Sequence, residues 1–131
     1  MSQCIFCRLE KTEILLENEL SKAFFDRYPV NVGHVLVIPK RHLTNLFEAS
    51  LEEMISLWKL CEEVKEELNK RFQPDGFNLG MNIGAAAGQT IFHAHVHIIP
   101  RYQGDVKDPR GGIRKIKQSH VPYPGEGEGP T

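Results

Sequence analysis

The stretch His93-Ala94-His95-Val96-His97-Ile98-Ile99-Pro100 places three imidazoles at every second position, with small and β-branched apolar residues between and after them. In an extended chain successive side chains point to opposite faces. The three rings therefore share one open face, and Ala94, Val96 and Ile98 pack inward on the other. A core gains nothing from three adjacent titratable rings, and a solvated strand face is served by Thr, Lys or Glu. The histidine row is thus a candidate chemical site on a sheet surface.

Working outward, Glu13 to Glu17 and Lys22 to Asp26 read as two short strands around a polar turn at Asn18 and Glu19. The turn chemistry of Pro29, Asn31 and Gly33 delivers the chain into a third strand, His34 to Ile38, which Pro39 stops. Ser50-Leu-Glu-Glu53 forms a capping box. Behind it Leu51, Met54, Trp58, Cys61, Val64, Leu68 and Phe72 recur at helical spacing, which predicts one long helix over Leu51 to Phe72 with that stripe inward. Asp75-Gly76 turns the chain into a fourth strand, Phe77 to Ile83, and the loop Gly84 to Gly88 returns it as the histidine strand. Antiparallel strands with one major helix make an α+β layer.

The length of 131 residues suits one domain, expected over residues 1–120, followed by a Pro/Gly-rich tail at 121–131. Sixteen Lys and Arg oppose seventeen Asp and Glu, which argues against a nucleic-acid coat or a membrane-surface protein. The N-terminus reads without a signal peptide, and no apolar run approaches bilayer length, so the expected location is cytoplasmic. In such a reducing compartment, three cysteines favour metal binding or burial over disulfides.

Asn82, Gly84, Gly88, Gln89 and Thr90 put neutral donors and open backbone amides beside the histidine strand, an arrangement suited to a phosphate. A neutral imidazole there can attack phosphorus if its far nitrogen keeps a proton on a carbonyl, and His97, Gln89 and Thr90 can stabilise the developing charge. Cys4-x-x-Cys7 supplies half of a tetrahedral metal site, for which His42 and His93 are candidate partners; Cys61 lies on the apolar helix stripe and reads as buried. His34 opens a strand, and His120 falls in a polar segment where it reads as solvated. The segment from Arg101 to His120 carries six basic residues against two acids. If it folds over the site, Lys107, Arg110, Arg114, Lys115 and Lys117 suit a polyphosphate leaving group.

Taken with Asn82-x-Gly84, Gly88-Gln-Thr90, Cys4-x-x-Cys7, Asp26-Arg-Tyr-Pro29, Gly33-His-Val-Leu-Val-Ile-Pro-Lys40, His42 and Pro100-Arg101, the histidine row resembles the histidine triad (HIT) family of nucleotide hydrolases and transferases. The resemblance implies a five-stranded antiparallel sheet with one long helix and a short helix, joined to a second sheet in a homodimer. It implies nucleotidyl transfer to His95 at the α-phosphate, with Asp26 on the ribose and Asn82, Gln89, Thr90 and His97 on the phosphate. It also implies a structural zinc held by Cys4, Cys7, His42 and His93. The segment Asp26 to His34 and Arg101 are similar to the dinucleoside polyphosphate hydrolase branch, which adds His34 and Arg101 to the candidate substrate contacts. Asn82 and the Asp26 carboxylate resemble the phosphoramidate hydrolase branch. Three further readings stand beside hydrolysis of diadenosine polyphosphates: an adenosine phosphoramidate hydrolase, a nucleotide-binding interaction module with little activity, and an enzyme whose three histidines jointly chelate a catalytic zinc.

Overall fold

The computed structural model describes residues 3–117; His120 and the 121–131 tail lie outside the described residues. The architecture is α+β: five antiparallel strands, β1 (Ile14–Glu17), β2 (Ser21–Phe25), β3 (Val35–Pro39), β4 (Gly76–Gly80) and β5 (Val96–Arg101), in the order β1-β2-β3-β5-β4, and one long helix, α1 (Leu51–Phe72). The short helical elements are of the 3-10 type, at Lys11–Glu13, Leu46–Glu48, Ala85–Ala87 and Gly112–Ile116.

The expected capping box starts α1. The Ser50 hydroxyl accepts from the Glu53 amide, and the Glu53 carboxylate accepts from the Ser50 amide. Glu53 is nearly buried and also takes a two-pronged bond from Arg41, whose guanidinium holds the carboxyl down at about 2. The buried helix seam runs through Leu57, Leu60, Cys61, Val64 and Leu68, with Met54 and Phe72 packed at its margins. Leu51 and Trp58 do not belong to it, being 76% and 57% exposed. Leu57 and Trp58 both satisfy the spacing from Met54 to Cys61, and a single seam takes only one of them. Cys61 is buried as expected, and burial pushes its thiol up to about 11.

Alternation gives the sheet two different faces. Ala23, Val35, Val37, Val96 and Ile98 join the seam of α1 in the main core. Truncating a fully buried Leu there, such as Leu60, costs about 2–5 kcal/mol. On the opposite face Phe24, Leu36 and Ile38 form a smaller cluster capped by Phe6 from the N-terminal turn. His97 lies on this second face, opposite Leu36 in the register.

Two strand boundaries differ from expectation. The fourth strand stops at Gly80, so residues 81–83 leave the sheet and carry Asn82 away from it. The histidine strand begins only at Val96. Its partner register sets Val37 against Val96, so the next rung of the ladder falls on Pro39, which has no N–H to give. The Ala94 amide bonds to the Leu43 carbonyl instead, and His93 and His95 approach the sheet as irregular chain outside it, with a bend at His93. Ala94 still packs inward as predicted, 2% exposed.

Candidate functional site

The three rings expected on an open face are largely enclosed: His93 is fully buried and His95 is 9% exposed. His97 is half-buried. The second cluster and the N-terminal turn cover what would otherwise be a bare sheet face, so His95 is a cavity wall rather than a surface group. Nor do the three rings converge on one point, because each is held by a different partner.

His93 and His42 meet the two cysteines. His93 Nδ1 lies 3.4 Å from both Cys4 Sγ and Cys7 Sγ and 3.2 Å from His42 Nδ1, and His42 Nδ1 lies 3.2 Å from Cys7 Sγ. A tetrahedral ion with its usual bonds to sulfur and nitrogen sets such atoms about 3.3–3.8 Å apart. The His93 ring turns its Nε2–H onto the Pro39 carbonyl at 2.9 Å, which leaves the Nδ1 lone pair toward the cluster. Four possible ligand atoms thus lie within 4.8 Å of one another, and the cluster fits a metal ion, which would bind the cysteines as thiolates.

His34 and His97 form the other pair. The Val30 amide donates to His34 Nδ1 at 3.0 Å, so the His34 proton sits on Nε2 and is given to His97 Nδ1, also at 3.0 Å. His97 is left with Nε2–H as its donor. Burial lowers the pKa of both rings, the neighbouring imidazoles push His97 further down, to about 4, and both are therefore neutral near pH 7. Asp26 stands 3.5 Å from His34 Nε2, and its other carboxylate oxygen accepts the Tyr28 amide at 2.8 Å. Although Asp26, His34 and His97 cluster closely enough to suggest a second metal site, His34 presents a proton there and not a lone pair. Gly33 makes the turn that sets His34. Its φ of +90° favours glycine, and an added Cβ would lie 2.9 Å from the Phe72 ring.

Between the pairs stands His95. Its Nδ1–H donates to the His93 carbonyl at 2.7 Å, and its ring centroid lies 5.2 Å from that of His97. The Nε2 lone pair is consequently the free end of a ring that lines a cavity of about 320 Å³. Asp26, His34, Asn82, Gly88, Thr90 and His97 share this cavity with apolar Ile5, Phe6, Leu9, Phe24, Val30 and Ile91. A few convergent polar groups in a mainly apolar hollow are the ordinary make-up of a small-molecule site.

The geometry identifies a family. The HIT domain profile matches residues 8–104. This chain belongs to the HIT family. A HIT-like protein of Mycoplasma pneumoniae is 40% identical over 106 residues, covering 78% of this chain and 74% of that protein. The bis(5'-adenosyl)-triphosphatase of Dictyostelium discoideum is 33% identical over 114 residues, covering 87% and 76%. Among solved structures, a histidine triad nucleotide-binding protein of Sulfolobus tokodaii superposes with a TM-score of 0.72 at 40% identity, over 91% of this chain and 78% of that one.

Within this HIT domain two sequence-predicted contacts lie elsewhere. Gln89 is buried and clamps its own loop: Oε1 accepts from the Gly84 amide, and Nε2 donates to the Thr44 and Ile91 carbonyls. Arg101 is outside the cavity lining. Its guanidinium is forked onto Asp105 at 2.8 and 2.9 Å and donates to Asn78 at 2.7 Å. The condition for a basic contact to the leaving group is not met among the described residues. Gly112–Ile116 packs on β4, and none of Lys107, Arg110, Arg114, Lys115 or Lys117 lines the cavity. Reasoning from sequence missed the apolar wall, above all Phe6 and Phe24. The alternation of Ala23, Phe24 and Phe25 was the signal for Phe24, and the enclosing cysteines were the signal for Phe6. No helix among the described residues is long and apolar enough to cross a membrane.

Proposed function

We propose that this HIT protein is a nucleotide hydrolase acting through a nucleotidyl-histidine, on diadenosine polyphosphates such as diadenosine tetraphosphate. The observation that carries the reading is the His95 Nδ1–H bond to the His93 carbonyl, which assigns Nε2 of this cavity-lining ring as the nitrogen able to offer a lone pair. His95 Nε2 bonds to the α-phosphorus and the bond from that phosphorus to the bridging oxygen breaks, releasing the remaining nucleotide. Water then attacks the same phosphorus, the N–P bond breaks, and AMP leaves. His97 Nε2–H donates to the phosphate oxygens as charge builds, held in that tautomer by His34. Gly88, Thr90 and Asn82 flank the phosphate. Asp26 takes the ribose hydroxyls, and the Phe6 and Phe24 wall takes the base. Gln89 acts indirectly, by shaping the loop. The likeness to the Dictyostelium triphosphatase supports the substrate class.

The ion that suits the thiol and imidazole set of Cys4, Cys7, His42 and His93 is zinc, in a structural role: it ties the N-terminal turn to the sheet. We also read the chain as a homodimer, because among the described residues β4 pairs only with β5 and leaves a strand edge for a second sheet, and we place it in a reducing, cytoplasmic setting in keeping with reduced thiols at Cys4 and Cys7 suited to a metal. None of Lys107, Arg110, Arg114, Lys115 or Lys117 lines the cavity, and Arg27 is the single Lys or Arg that does among the described residues; this sparse positive charge favours a second reading, in which the preferred leaving group is a small amine on an adenosine phosphoramidate.

Hydrolysis of diadenosine tetraphosphate in oxygen-18 water tests the first reading, with the label expected on AMP. Label found only on the nucleoside triphosphate overturns attack at the α-phosphorus. Comparing kcat/KM for the two substrate classes separates the two readings. Tight AMP binding without turnover on either substrate contradicts both and leaves an interaction module.

A further inference from the structure

The loop closed by the two cysteines contains Ile5 and Phe6. Phe6 is 4% exposed, and three rings meet it edge to face. Its centroid lies 5.1 Å from Phe24 at 63°, 5.3 Å from His95 at 85°, and 6.0 Å from His93 at 70°. Contacts of this kind are directional, because the positive edge of one ring seeks the negative face of the other. Among the described residues the His95 ring has one hydrogen bond, from Nδ1 to the His93 carbonyl, and a single bond fixes a direction while leaving the ring free to tilt about it. Phe6 supplies the missing constraint.

Residues 5–8 form a turn outside the sheet and the helix, so apolar contacts with Phe24, Leu36 and Ile38 are what hold Phe6 from within the fold. The metal cluster lies on both sides of it in sequence, at Cys4 and Cys7, and joins the turn to His42 and His93. We propose that Phe6 is a positioning residue through which filling of the Cys4/Cys7/His42/His93 cluster orients the His95 ring. The proposal rests on the reading of His95 as the nucleophile. With the cluster filled, Phe6 is pinned two residues before and one residue after itself and cannot withdraw from the cavity. With the cluster empty the turn loosens, and the reactive ring loses its tilt even though the sheet beneath persists.

Two measurements decide it. In wild-type protein loaded with one equivalent of zinc, NMR should give cross-relaxation peaks between the Phe6 and His95 ring protons. Chelation should abolish them while peaks within α1 and the sheet remain. Equal intensity in the stripped protein overturns the proposal, whether or not the protein proves to be a hydrolase. In zinc-loaded Phe6→Leu, zinc content should match wild type and kcat should fall about tenfold, in addition to any rise in KM from the altered base wall. Stripping the metal should lower kcat less in the variant than in wild type. An unchanged kcat, or a loss carried by KM alone, makes Phe6 a mere wall contact. Should Phe6→Leu fail to fold, the wild-type NMR comparison decides alone.

Discussion

Two pairs of imidazoles stand at almost the same separation, 3.2 Å for His42 and His93 and 3.0 Å for His34 and His97, and their chemistry is opposite. The difference lies in what holds the far nitrogen. His93 gives its Nε2 proton to a carbonyl, so its near nitrogen is a lone pair facing two sulfurs and another ring nitrogen, a set that invites a cation. His34 receives an amide proton on its far nitrogen, so its near nitrogen is a donor and the pair becomes a hydrogen bond. One backbone carbonyl and one backbone amide thus separate a cluster fit to hold a metal from a proton-bearing pair. His95, between them, follows the first pattern without the sulfurs, and its lone pair faces the cavity.

Removing the metal breaks the contrast at its first member and has the largest expected effect on stability. With zinc free at a thousandfold above its Kd, binding adds about 4 kcal/mol. Calorimetry of wild type and Cys7→Ser, with and without a chelator, should show a large zinc-dependent rise in Tm only for wild type. The second member is tested by kinetics. His97→Ala should lose about 10²–10³ in kcat as a lost oxyanion donor does, with zinc content unchanged. His34→Ala should lose less, about tenfold to a hundredfold, because it acts only by setting the His97 tautomer.

Acidification probes the same pair more gently. The folded pKa of His97 is about 4 against an ordinary 6.5, so between these values the unfolded chain binds the extra proton. Stability from this ring is full above pH 6.5, falls as pH drops toward 4, and changes by no more than about 1.4 kcal/mol per pH unit. His34 shifts in the same direction and adds to the slope. Denaturation of wild type against His97→Gln over pH 4–7 isolates this term, since zinc-ligand protonation is common to both. The smallest effect belongs to Arg101→Ala, which should leave kcat/KM within about threefold, because Asp105 and Asn78 already occupy the guanidinium. A hundredfold loss would restore Arg101 as a substrate contact.

The sheet, the α1 boundaries and the cysteine pair were legible in the sequence because each rests on local spacing: alternation, a capping box, a Cys-x-x-Cys; that His42 and His93 join the two cysteines rested on their places along the predicted sheet and on the family resemblance. What was not legible depends on partners distant along the chain. Pro39, opposite the approach to β5, shortens the histidine strand, and only the sheet register reveals that. Gln89 and Arg101 carry the right chemistry for phosphate, but Thr44, Asp105 and Asn78 engage them first. Leu57 and Trp58 were equivalent by helical spacing, and packing alone separates them. Phe6 drew no reading from the sequence, yet it packs edge to face on His95 in the cavity wall.

The central claim is a bond between His95 Nε2 and phosphorus. Rapid-quench mass spectrometry during turnover of diadenosine tetraphosphate tests it directly. The account predicts a transient adduct of one nucleoside monophosphate, mapped to His95 and absent from His95→Ala. Active cleavage with no such adduct at any time point, or an adduct on another residue, would contradict it.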